Sequence, residues 1–128
     1  MSGTKRVLFP YPLFDAVSIA TNQTSGETNV AFLDYGLIDI NWTGTSPVGV
    51  LNMQILEIAA DRNTTDKVDV WRTVNFTGAV GGGDIPISGN SGSHTIQIGK
   101  MPSTKIRMAY TATSGVGNLT AIISGKEA

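Results

Sequence analysis

The sequence predicts an all-β domain: a single antiparallel β-sandwich, jelly-roll or immunoglobulin-like, with an extended N-terminal arm. Three observations carry that prediction. No window holds the i, i+3, i+4, i+7 apolar spacing of a surface helix over three turns. Apolar and polar residues alternate instead with period two, the pattern of a strand that buries one face. Clusters of Gly, Asn, Ser and Pro separate these runs at regular spacing, as in sandwiches and barrels.

The arm comes first. Residues 1–13 contain Val7-Leu8-Phe9 followed by Pro10-Tyr11-Pro12. Two prolines in three residues remove two backbone donors and favour extended conformations, so this segment reads as edge-like and partly free of the domain over 14–128. Short strands follow at Val17–Ala20, Asn29–Leu33 and Leu37–Thr43, the last with Ile38, Ile40 and Trp42 on one face. From Val48 to Ala59 runs the clearest strand, with Leu51, Met53 and Ile55 opposite Asn52 and Gln54. The polar turn Asp61–Asp66 leads to the alternating segment Val68–Val74. Beyond the loop Gly81-Gly82-Gly83-Asp84, Ile85 and Ile87 flank Pro86, which suits an edge strand. Thr95–Ile98, Ile106–Tyr110 and Leu119–Ile123 complete the set, with turns expected at Gly89–Gly92 and Ser114–Gly117.

Composition narrows the function classes. At 128 residues the chain is one domain, and without cysteine it has neither disulfides nor thiolate metal sites. A formal net charge of −1 gives no general attraction to nucleic acid or anionic membrane. Charged residues are only 15% of the chain, so Thr, Ser, Asn and Gly must cover the surface. Such a surface suits subunits packed side by side, where unpaired charge would have to be desolvated. Neither a membrane span nor a signal peptide is expected.

Chemistry-bearing constellations are scarce. His94 is the single histidine; Ser93 and Ser91 are close in sequence, but adjacent residues on a strand point to opposite faces, so no nucleophile–base pair is expected there. Asp61–Asp66 resembles the front of a calcium loop but lacks Gly at its sixth position and an acid at its twelfth, which is Arg72. Among Asp39, Glu57, Asp61, Asp66, Asp69 and Asp84, no spacing singles out a glycosidase pair. The expectation is therefore no enzyme, no cofactor and no metal. Trp42 reads as core. Trp71 shares a face with Asp69 and Thr73 and reads as a partly exposed contact, suited to a protein partner or to a stacked glycan.

The later part of the chain carries a resemblance. Thr43-Gly44-Thr45-Ser46-Pro47-Val48-Gly49-Val50-Leu51, then Trp71-Arg72-Thr73-Val74, then Ile106-Arg107-Met108-Ala109-Tyr110-Thr111-Ala112-Thr113-Ser114-Gly115-Val116-Gly117-Asn118-Leu119-Thr120 and the closing Ser124-Gly125-Lys126 resemble small β-sandwich virion proteins of tailed bacteriophages and prophages. The resemblance covers 35–126. The loops after Ala59 and around Gly81 depart from that pattern. It implies a virion structural role without catalysis: a capsid decoration or cement protein, with head-fibre, neck or baseplate components as relatives. On this reading the virion is assembled in the bacterial host cytoplasm. The arm would grip a capsid neighbour through Lys5, Arg6, Phe9, Tyr11 and Phe14. A homo-oligomer is expected, with a trimer favoured, and partners are virion proteins. The rival expectation is a glycan- or receptor-binding module of a fibre, neck or baseplate.

Overall fold

The computed structural model describes residues 7–30, 32–60, 67–73, 85–98 and 105–127. Eight strands lie within them: β1 (Val7–Ser18), β2 (Gln23–Thr24), β3 (Thr28–Asn29), β4 (Tyr35–Ala60), β5 (Lys67–Thr73), β6 (Ile85–Ser88), β7 (Ser91–Ile98) and β8 (Lys105–Lys126). Every pairing is antiparallel, and no residue described is helical. The all-β antiparallel class is therefore as the alternation predicts.

Two strands are far longer than the sequence suggests. β4 is 26 residues and β8 is 22, and they pair with each other along most of their length. Each merges two predicted strands. The intervening segments, Gly44–Pro47 and Ser114–Gly117, look like turns but lie across from one another inside the ladder. There Ser46 and Pro47 face the single residue Gly115, and Thr113 is the extra residue in the return strand. These are two bulges, one per strand, and they cancel, so the register beyond them matches the register before.

The burial pattern shows why the bulges are needed. In β4 the buried positions are Ile38, Ile40 and Trp42, then Leu51 and Met53; in β8 they are Ile106, Met108 and Tyr110, then Leu119, Ala121 and Ile123. In each strand the apolar set changes from one parity to the other. A single extra residue turns every later side chain to the opposite face. Without the bulges, half of these residues would point to water.

The kink divides the sheet into two halves that share β4 and β8. One half runs β1–β8–β4–β7, and the other carries β2 and β3 on β8, with β5 and β6 on β4. Both halves supply the same core cluster, including Ile38 and Ile123 from the first and Leu51 and Met108 from the second. Side chains satisfy the backbone where the ladder breaks. The Asn22 Oδ1 accepts from the Ala112 amide (2.8 Å), Asn90 Oδ1 accepts from the Ser46 amide (2.9 Å), and Ser25 Oγ accepts from the Met108 amide (2.8 Å). Polar turn residues thus replace missing strand partners.

The N-terminal segment differs from the expected arm. From Val7 onward it is a strand on β8, with Leu13 and Phe14 in the core at 7% and 2% exposure. Bulges explain how two consecutive residues are both buried: the register shifts between Leu8 and Tyr11, Pro12 and Phe14, and Phe14 and Val17. At the last of these Ala16 takes φ of 51°, and its amide donates to Thr120 Oγ1 at 3.1 Å. The expectation that Phe14 grips a neighbour is corrected, because its ring is used by its own domain. Asn29–Leu33 is likewise not a full strand; only Thr28–Asn29 pairs, with Ile106 and Lys105.

Tyr110 supplies a test of the core. It is 1% exposed, lies against Gly49, and its hydroxyl finds no hydrogen-bond partner among the described residues. Burial pushes its pKa up, since the phenolate would lose hydration. A group with a raised folded-state pKa stabilises fully below its unfolded value of about 10, and that contribution is lost as pH rises through the folded value. Tyr110→Phe removes an uncompensated polar group. Urea denaturation at pH 7 should therefore show stability unchanged or higher by up to about 1 kcal/mol. The advantage of the variant should widen above pH 10. A loss of more than about 2 kcal/mol at pH 7 would mean that the hydroxyl has a partner.

Candidate functional site

Three strand ends meet where the described chain begins. Val7 stands across from Lys126, which stands across from Tyr35; Leu8, Gly125 and Gly36 form the next row. The amide of Asp34 donates to the carbonyl of Lys126 at 3.1 Å and fixes the entry into β4. Between these rows lies an open groove of about 500 Å³, lined by Val7, Leu8, Pro10, Tyr35 and Leu37, with Ser124 and Lys126 as its polar members. Two of its lining residues, Val7 (52%) and Tyr35 (59%), are among the exposed large hydrophobic side chains of the described residues; a third, Tyr11 (49%), follows the lining residue Pro10 in β1. An apolar concavity lined by an exposed aromatic buries apolar surface of a partner, at about 25 cal/mol per Å².

The predicted contact residues distribute unevenly around it. Tyr11 is exposed on β1, next to the lining residue Pro10. Phe9 belongs to β1, but its side chain lies outside the described residues, as do Lys5 and Arg6. Phe14 is in the core. Val7 and Tyr35 line the groove but lie outside the predicted contact set. Tyr35 starts β4 with an exposed ring, and nothing in its local sequence marks it as a neighbour of the N-terminal segment.

Trp71 is partly exposed. It stands across from Leu56, and the guanidinium of Arg107 lies over its ring at 4.2 Å from the centroid. Arg107 Nε also donates to Gln54 Oε1 at 2.8 Å. The ring face under Arg107 is therefore occupied by a cation–π contact and is not open to a stacked sugar. Lys105, two residues before Arg107 on β8, lies 3.6 Å from Glu27, an exposed ion pair of small energetic weight.

His94 is exposed on β7 across from Ile40, while Asp39 accepts a hydrogen bond from Thr95 Oγ1 (3.1 Å). Adjacent positions alternate faces, so His94 and Asp39 lie on opposite sides of the sheet. Among the described residues no three His, Asp or Glu side chains converge as metal ligands, and no helix is long and apolar enough to cross a membrane. The Asp61–Asp66 and Gly81–Asp84 loops lie outside the described residues.

No family model matches the sequence, and no curated protein matches it. Solved structures that share its fold include one from a prophage and one from a virus. One is the SPBc2 prophage-derived protein YomS, at 12% identity and TM-score 0.50, with 98% of each chain covered. The other is a chain of the infectious bursal disease virus Gx strain, at 12% identity and TM-score 0.53, where 98% of this chain aligns with 33% of that longer one.

Proposed function

We propose that this chain is a non-enzymatic structural protein of a bacteriophage particle, a capsid decoration subunit that docks on neighbouring virion proteins. The observation that supports the reading most is the end-to-end likeness to a prophage-derived protein of nearly the same extent, 98% of each chain. The infectious bursal disease virus chain adds a second viral setting for the same fold. The low charge and the apolar groove fit a molecule whose work is surface contact.

In this reading attachment runs through the N-terminal end. Residues 1–6, including Lys5 and Arg6, directly precede Val7, which lines the groove. The basic pair would meet acidic groups on the neighbour, and Tyr11 and Tyr35 would bury on its apolar surface. The test is co-sedimentation with purified particles. A chain lacking residues 1–6, and the double variant Tyr11→Ala/Tyr35→Ala, should each lose particle binding by about tenfold or more while melting like the parent. Undiminished binding by both would remove the docking role from this end. Absence of the protein from the purified particle in electron micrographs would end the virion reading itself.

A further inference from the structure

The two edges of the first half-sheet are unequal. β1 closes one edge, and its own free side carries Pro10, Pro12 and three register shifts, features that keep another strand from adding. β7 closes the other edge. It runs from Ser91 to Ile98 in unbroken register against Thr43 to Gly36, with no proline, no lysine and no bulge. Among the described residues its outer side pairs with nothing, and Ser91, Ser93, His94, Thr95 and Gln97 are exposed. A flat, regular edge offers alternate N–H and C=O groups as a template for one more strand.

We infer that this edge is a self-association site, where β7 pairs antiparallel with β7 of a second copy about a two-fold axis. Three observations favour a copy of this chain as the occupant. First, β7 contains no Lys, Arg, Asp or Glu, so a second copy brings no like charges to the contact. Second, Ser91, Gly92 and Ser93 are small and let two backbones approach. Third, His94 shares the core-side face with Ile96 and Ile98, yet it is exposed while they are buried at 5% and 6%. The core layer ends at this edge, and a second β7 continues it.

Symmetry restricts the register. An antiparallel two-fold pairing must set residues of like facing opposite each other, so that Ile96 and Ile98 of both copies stay on the core side. That places either His94 opposite His94 or Thr95 opposite Thr95 on the axis. The contact closes on itself and joins two four-stranded half-sheets into one sheet across the dimer. A paired edge of this length buries less than the roughly 1,000 Å² of a stable complex, so the dimer forms at high concentration or in an array.

The chain has no cysteine, which makes the test clean. His94→Cys and Thr95→Cys are oxidised separately at high protein concentration, with Thr113→Cys, an exposed position at the kink, as the control. One of the β7 variants should give a disulfide dimer on a non-reducing gel, and the control should not. In sedimentation equilibrium, Ser93→Lys/Gln97→Lys should weaken self-association by about tenfold or more, because edge lysines repel across the axis. A parent chain that is monomeric at every concentration, a trimer, unchanged association of the lysine variant, or equal cross-linking of the control would each overturn the proposal. The purified chain suffices, so a failure of particle binding leaves this test unaffected.

Discussion

Gly115→Ala should lower the melting temperature by roughly 10 °C, the equivalent of about 3 kcal/mol in a domain of this size. Gly115 has φ of +84°, a left-handed conformation that costs an alanine on the order of 1 kcal/mol or more. Space is the second problem. A Cβ there would run into the carbonyl of Ser46 and lie 2.6 Å from the Cα of Pro47. Both obstacles are backbone, held by the bulge across the ladder, so neither can rotate aside. Relief would require β4 and β8 to separate at the kink. That would disturb the parity change which keeps Leu51 and Met53, and also Leu119 and Ala121, on the core side. Gly26→Ala is the matched control: its Cβ would meet nothing within 4 Å, and its stability should stay within about 0.5 kcal/mol of the parent. Thermal unfolding of the two variants side by side decides the matter. If Gly115→Ala melts with Gly26→Ala, the bulged backbone at Ser46 and Pro47 yields to a side chain.

How far the sequence discloses this molecule depends on the distance over which its signals act. Alternation is local, and it reveals core strands: Ile38, Ile40 and Trp42 are buried on one face as expected, as are Leu51 and Met53, with Ile55 partly buried beside them. The union of those strands into two long ones is less visible, because Gly44–Pro47 and Ser114–Gly117 have the composition of turns. One signal for it does exist. The apolar positions switch parity across both segments, which a bulge accomplishes without ending a strand. Trp71 illustrates a longer reach. Its strand-mates suggest exposure, but Arg107, two strands away, lies on its ring, and no single-sequence pattern reports that register. The groove is more hidden still, since its walls come from 7–10, 35–37 and 124–126 and meet only through strand pairing.

Phe14→Ala should destabilise the isolated chain by about 3–5 kcal/mol, the usual cost of emptying a buried phenylalanine site. The ring is 2% exposed in the shared core cluster, on a strand that reaches it only through bulges. Bulged pairing leaves β1 with few regular ladder bonds, so side-chain burial by Leu13 and Phe14 must hold much of its length to β8. Removing Phe14 therefore weakens the whole N-terminal strand. Tyr11→Ala, only three residues away but 49% exposed, should cost less than about 1 kcal/mol. The contrast separates two pictures of this segment. If residues 1–13 formed a free arm and Phe14 served a neighbour, Phe14→Ala would unfold in urea like the parent and lose only particle binding. If β1 is part of the domain, chemical denaturation detects the loss with no particle present. Truncation follows the same logic: removing 1–13 strips β1 of its pairing up to Phe14, whereas removing 1–6 leaves every described pair of β1, from Val7 onward, in place. A stable, fully cooperative Phe14→Ala variant would return this segment to the role of an arm and reopen Phe14 as a contact.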